Sequence, residues 1–319
     1  MVDFQLKKER YRKLCDERQD IPLFMQAWWM DAVCNNKNWD VLLYEKNNKI
    51  VAALVYHNVI RYGFSIIIQP QLTQSTGIWI DYPNNLSTSE TLSLEKVVMK
   101  NLIQQLNEQK FSYYDQNFHP SFTNWLPFYW NGFVQTTRYT YQIDDIKDIE
   151  KCFQRFSYAK KKQISKAEKN LNIDLKLTGE LFYDQLQNNL NQNVYFSKKL
   201  FLRLYNECKI RNQGCIIAAR DAHLKIHAAN FIVWDKNCAY NLISTINTEF
   251  RSSGASTFVV WEAIKQMSNK TKIFDFEGSM KENIENSFRQ FGTNQIPYFR
   301  IKKFNSLTFR ILYQLRRWI

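Results

Sequence analysis

The order of apolar patterns between Cys215 and Lys303 constrains this chain more than any other feature. It predicts three consecutive strands, a polar loop, a helix, a strand, a helix and a last strand. The loop, Arg251-Ser252-Ser253-Gly254-Ala255-Ser256, joins a strand over 239–246 to a helix over 255–267. A turn rich in Gly and Ser that opens a helix aims several backbone N–H groups at one point. With the positive end of the helix dipole, that geometry binds phosphate. Small residues let a pyrophosphate approach the backbone, and Arg251 could add charge. An ordinary helix start capped by Ser252 or Ser253 is the plainer alternative.

The chain repeats itself. Lys49-Ile-Val-Ala-Ala53 matches Lys225-Ile-His-Ala-Ala229. Tyr114-Asp115 matches Phe274-Asp275 at a somewhat shorter offset, and Phe128, Gly132, Gln135 and Tyr139 match Phe288, Gly292, Gln295 and Phe299 at that same shorter offset. Ordered matches at one offset point to duplication. The change of offset places about 16 extra residues in the first copy, between its second strand and the strand of Asp115. Alternation over 41–45 and 50–56, split by Lys46-Asn-Asn-Lys49, predicts a hairpin. Leu94, Val98, Leu102 and Leu106 recur every four residues and predict an amphipathic helix. Ser279 and Glu282 have the spacing of a capping box before a helix carrying Ile284, Phe288 and Phe291.

Asp275 and Glu277 alternate with Phe274 and Phe276, which puts both carboxylates on one side of a strand. One of them could accept a proton from an attacking amine, directly or through water. Binding an Arg or backbone groups structurally is the competing role. The match of Asp275 to Asp115 favours it for Asp275. Tyr298 and Tyr240 are candidate general acids for a leaving thiolate or hydroxyl. The two histidines His223 and His227 are too few for a zinc site, so no metal is expected. No Ser-His-Asp, phosphate-binding P-loop or dinucleotide-binding pattern occurs, and no Cys lies in a recognisable frame with His.

The element order and the 251–256 loop resemble the acyl-CoA-binding core of the Gcn5-related N-acetyltransferases (GNATs). Phe274-Asp-Phe-Glu-Gly-Ser-Met280, Phe288-Arg-Gln-Phe-Gly292 and Gln295-Ile-Pro-Tyr-Phe-Arg-Ile301 resemble the FemAB-type and BioF2-like acyltransferases. So do Pro22-Leu-Phe-Met-Gln-Ala-Trp-Trp29, Trp39-Asp-Val-Leu-Leu43 and Lys162-Gln-Ile-Ser-Lys-Ala-Glu-Lys169. The usual acetyltransferase loop ends in Gly or Ala where this chain has Ser256. The resemblance implies an α/β protein of two tandem acetyltransferase-like lobes, each a mixed, mostly antiparallel sheet flanked by helices. The expected lobes are 1–147 and 148–303, followed by a basic amphipathic tail at 304–319. The implied activity is acyl or aminoacyl transfer to an amine or hydroxyl of a small-molecule or cell-envelope precursor. The donor, acyl-CoA or aminoacyl-tRNA, is a substrate rather than a resident cofactor. A strand N–H near Ser244 to Ile246 would hold the oxyanion. A non-catalytic, degenerate two-lobe protein that binds RNA or anionic lipid is the alternative.

Net charge is +13 and sits in two windows. Residues 151–170 hold seven Lys or Arg and one Glu; residues 300–319 hold six and no acid. In the first window Lys160, Lys161, Lys162, Lys166 and Lys169 are expected on one broad helix face. In the second, Phe309, Leu312, Tyr313 and Leu315 interleave with Arg310, Arg316 and Arg317. That pattern suits a segment lying on an anionic surface, with tRNA or an anionic membrane as partner. No apolar run approaches the length of a transmembrane helix, and residues 1–20 lack a signal-peptide core. The expected location is the cytoplasm, with peripheral contact at the inner face of the membrane. The six cysteines are expected as reduced thiols.

Overall fold

The computed structural model describes residues 2–34, 38–190 and 194–315. The chain begins with α1 (Val2–Glu17) and α2 (Ala27–Cys34), then β1 (Trp39–Lys46), β2 (Lys49–Arg61), β3 (Phe64–Ile68) and β4 (Gly77–Ile80). Next come α3 (Thr88–Glu108), β5 (Tyr113–Asn117), α4 (Leu126–Trp130) and β6 (Val134–Ile143). The second half runs α5 (Ile149–Arg155), α6 (Tyr158–Glu168), β7 (Asn172–Asp174), α7 (Gly179–Leu190) and α8 (Lys198–Ile210). It continues β8 (Gly214–Arg220), β9 (Ile226–Trp234), β10 (Cys238–Ile246), α9 (Ala255–Met267), β11 (Ile273–Asp275), α10 (Glu282–Arg289), β12 (Asn294–Phe304) and α11 (Leu307–Leu315). Residues 1–138 with 297–319 form one compact unit, and residues 139–296 form the other. The chain passes between them inside β6 and returns inside β12.

In the first unit β1, β2 and β3 pair antiparallel, β3 pairs parallel with β5, and β5 pairs antiparallel with β12. The β1–β2 turn places Asn47 and Asn48 at φ 53° and 62°, the left-handed geometry a two-residue hairpin turn needs. Helix α3 starts at a true capping box, with Ser87 and Glu90 exchanging hydrogen bonds. It buries Val98, Leu102 and Leu106 against Leu54, Ile67, Tyr114 and Phe128. The extra residues of the first copy include β4, which folds back onto β2 at residues 52–55.

In the second unit β7, β8, β9 and β10 pair antiparallel, β10 pairs parallel with β11, and β11 pairs antiparallel with β6. Helix α9 is apolar nearly all round because it is enclosed. Phe258, Val259, Trp261 and Ile264 pack with Ile164, Ile232, Phe274 and Phe291. Helix α10 begins later than its sequence suggests. Its N-cap is Lys281, while Ser279 Oγ takes the Lys281 N–H two residues on, so the expected Ser279–Glu282 box does not form.

The strands of the two units share one pattern: a hairpin, a third strand, a parallel partner reached through a helix, and a last antiparallel strand. Asp115 on β5 and Asp275 on β11 hold the same place in it. The last strands are exchanged along the chain. The strand that follows the first copy pairs with Asp275, and the strand that follows the second pairs with Asp115.

Candidate active site

β10 and β11 stay paired only through Tyr240 and Asp275. β11 ends there, while β10 continues to Ile246. Beyond that point one edge of β10 has no ladder with β11; Ser244 and Ile246 are exposed, with Ile243 and Thr245 buried between them on the other face. An unpaired strand edge presents N–H groups in fixed directions, which is what a developing oxyanion needs.

Asp275 is buried at the head of this gap. Thr140 Oγ1 donates to its Oδ1 at 2.5 Å, Gln142 Nε2 donates to its Oδ2 at 2.8 Å, and the Glu277 N–H donates to Oδ1 at 2.7 Å. None of these donors is a cation. Burial pushes the Asp275 carboxyl up to about 6, although the three hydrogen bonds pull the other way. Glu277 does not continue the strand, so the expected alternation of the two carboxylates fails. Its φ is 62°, in the left-handed region, and the Asp275 side chain holds its N–H there. Part of the residue reaches the surface, while its carboxyl is enclosed. Burial, and then the charge of Asp275, raise that carboxyl well above the usual range. Two such carboxyls resist losing both protons near neutral pH.

Of the three sequence-derived catalytic candidates, the structure brings Asp275 and Glu277 together in the second unit. Tyr298 is buried on β12 within the first unit. Tyr240 stands in register with Asp275, and burial pushes its hydroxyl well above the ordinary range. Thr140 and Gln142 escaped the sequence reading. Their signal was present: they precede Arg300 and Lys302 by the same offset that separates Asp115 from Asp275, but nothing marked them as partners of Asp275.

The 251–256 turn is differently placed. Arg251 and Ser252 are exposed, at the end of a short 3₁₀ turn over Thr248–Ser253. Ser253 Oγ accepts the Ala255 N–H. Gly254 has φ 83°, and a side chain there would strike the Gln163 carbonyl of α6. Ala255 is buried and Ser256 half-buried. Thr257 Oγ1 donates to Gln163 Oε1 at 2.6 Å, and Lys166 Nζ donates to the Ser252 carbonyl at 2.7 Å. α6 therefore lies across the start of α9.

The basic window at 151–170 also needs correction. Lys160 is not on the exposed face with its neighbours. It is buried, with Nζ donating to Ser287 Oγ at 3.0 Å and lying 4.4 Å from the Phe291 ring centroid. Burial lowers its amine to about 8. In the tail, Phe309 and Tyr313 fold onto Tyr113. Arg316 and Arg317 lie outside the described residues.

The place of Asp275 is taken in the first unit by Asp115, which accepts Tyr113 Oη at 2.7 Å and both Arg300 Nε at 2.6 Å and Arg300 Nη2 at 2.5 Å. Beside it lies a polar cavity of about 330 Å³ lined by Gln69, Asn117, Arg138 and Arg300. Arg138 Nε is buried there with no hydrogen-bond partner.

No family model matches the sequence, and no curated protein matches it. Solved structures do share its fold. FemX superposes with a TM-score of 0.67 at 10% identity, over 97% of this chain and 98% of that one. L-PGS from Bacillus licheniformis gives 0.55 at 9% identity, over 97% and 96%. A tandem GNAT protein from the clavulanic acid biosynthesis pathway gives 0.52 at 8% identity, over 96% of both chains. The fold defined by the repeated strand pattern is therefore that of tandem GNAT-fold proteins. Within it, this chain has the FemX-type fold over nearly its whole length, and the FemAB-type resemblance read from its sequence holds at the level of fold.

Proposed function

We propose that the protein transfers an acyl or aminoacyl group from an activated donor to an amine or hydroxyl. The observation that carries this reading is the Asp275–Glu277 carboxyl pair, held without a cation beside the open edge of β10. The acceptor N–H or O–H attacks the donor carbonyl carbon, and its proton passes to the carboxyl pair, with Glu277 as the base. The tetrahedral oxyanion accepts a β10 N–H near residues 244–246. The carbonyl re-forms as the thiolate or alcohol leaves, and the proton held by the pair returns to it. The protein orders the reactants and supplies fixed dipoles rather than a covalent intermediate.

The donor is acyl-CoA or aminoacyl-tRNA, and the acceptor a small-molecule or cell-envelope precursor. The FemX-type fold supports both choices by analogy alone. With α6 across the start of α9, Arg251 and Ser252 are the part of the 251–256 turn left to meet a donor phosphate. The test is thermal unfolding of the purified protein with each donor, followed by turnover. A donor at 100 times its Kd stabilises by about 2.7 kcal/mol. Stabilisation by one donor, with transfer from it to an amine or hydroxyl, is expected. Indifference to both donors overturns the proposal.

A further inference from the structure

The first unit carries a second, larger cavity, of about 540 Å³, with no part in the chemistry above. Its apolar wall is Phe64, Tyr113, Phe309 and Tyr313, and its rim carries Arg61 and Lys302. Asp115 and Arg300 also border it, and they neutralise one another. Two elements flank the opening. One is the β2–β3 hairpin, with Tyr62 and Gly63 at its tip. The other is α11, packed through Phe309 at 5.2 Å between ring centroids from Phe64.

Both elements turn apolar side chains outward. Ile60 is 78% exposed and Tyr62 is 83% exposed. Along α11, Leu307, Ile311 and Leu315 recur every four residues on the exposed side. Tyr62 holds φ 53°, a strained backbone for a bulky residue that packs against so little. The charge around them has one sign. No acidic residue lies between Glu45 and Asp81, and none follows Glu285. Outward apolar side chains ringed by cations, with no acid in either segment, match the interface of an anionic bilayer: apolar groups enter the acyl boundary while Lys and Arg meet the headgroup phosphates. RNA would use the cations but has no use for the outward Leu and Ile.

We infer that this face docks on an anionic membrane, with the β2–β3 tip and the outer side of α11 inserted and the cavity taking the acyl chain of one bound lipid, its phosphate between Arg61 and Lys302. The inference does not depend on the transfer chemistry, because it is read without turnover.

The test is flotation with phosphatidylcholine vesicles that contain or lack phosphatidylglycerol, at low and physiological salt. Binding is expected only with phosphatidylglycerol, weakening as salt rises. Arg61→Gln with Lys302→Gln should weaken it about 25-fold, at about fivefold per cation. Ile311→Glu with Leu315→Glu, both on exposed positions, should abolish it while leaving the urea midpoint unchanged. A Tyr62→Trp probe should shift its emission to the blue on vesicles. Lys162→Gln with Lys169→Gln, in the other basic window, should change nothing. Failure to float with phosphatidylglycerol overturns the inference. So does flotation indifferent to Ile311→Glu and Leu315→Glu, which is adsorption by charge alone. Retention of tRNA through Arg61 and Lys302 without flotation overturns it in favour of RNA.

Discussion

Asp115 and Asp275 occupy one position in two copies of one fold, and their surroundings are opposite. Arg300 and Lys302 on β12 stand to Asp115 as Thr140 and Gln142 on β6 stand to Asp275, at the same offset along the chain. In the first unit that position supplies a guanidinium, which fixes Asp115 as a bidentate ion pair. In the second it supplies a hydroxyl and an amide, which hold Asp275 in place without neutralising it. The neighbouring strands diverge in the same way. β3 stops at Ile68, in register with Asp115, and Gln69 turns its side chain back to accept the Asn117 N–H. β10 instead runs on past Asp275 to Ile246. One copy ties its carboxylate into an ion pair beside a small polar cavity. The other gives its carboxyl no cation and leaves it high. The same backbone thus serves as scaffold in one unit and as candidate chemistry in the other, and the choice is made by two side chains on a borrowed strand.

The largest effect should come from Glu277→Gln, which keeps shape and removes the base. Turnover should fall by about 10²–10⁴-fold, with the donor's KM nearly unchanged. Unchanged turnover would make Glu277 as structural as Asp115. On the other side of the comparison, Arg300→Met strands the buried Asp115 carboxylate. Breaking such a pair costs about 3–5 kcal/mol, and urea unfolding should show it. Adding Asp115→Leu should recover much of the loss. A single variant as stable as the parent would show that the pair is dispensable.

Much of this architecture is legible in the sequence because it rests on local periodicity. The Asn47-Asn48 turn, the spacing of Leu94, Val98, Leu102 and Leu106 on α3 and the ordered matches from Phe128 to Tyr139 each depend on neighbours along the chain. What escaped depends on distant pairing. The strand after Gly132 reads as the end of the first copy, yet it pairs with β11 of the second, so Thr140 and Gln142 could not be assigned to Asp275. The 251–256 turn is legible as a helix start because that signal is local, whereas the packing of α6 on Gly254 is not. Lys160 read as surface because charge patterns imply solvent, whereas here two hydroxyls and an aromatic face receive the amine.

Asp275 should leave a signature in stability against pH. Its folded value, about 6, lies above the ordinary 3.8 of an aspartate. Between those values the unfolded chain has released this proton and the native protein still holds it. Stability therefore falls as pH rises from about 4 to about 6, by about 3 kcal/mol, and is level above that. Asp275→Asn removes this contribution. The difference between parent and variant in urea unfolding should change across that window and be flat from pH 6.5 to 8. A flat difference throughout would overturn the raised carboxyl of Asp275.

The smallest effect, and the sharpest test of the comparison, is Gln142→Lys. Gln142 faces Asp275 across β6 and β11 as Lys302 faces Asp115 across β12 and β5. The substitution gives the second unit a cation where the first has one. Gln142 is half-buried, so a lysine stem can lie along the sheet and reach the carboxylate without creating a cavity. An opposite charge at hydrogen-bonding distance lowers a carboxyl by about one to three units, here against a burial that still raises it. The pH 4 to 6 slope should shrink by about half or more. If Asp275 opposes the ionisation of Glu277 through its charge, the acid limb of turnover, where Glu277 must lose its proton to act as base, should also move toward lower pH. A slope that disappears with an unmoved turnover profile would separate the two carboxyls, making Asp275 a support for the Glu277 backbone and leaving Glu277 to act alone.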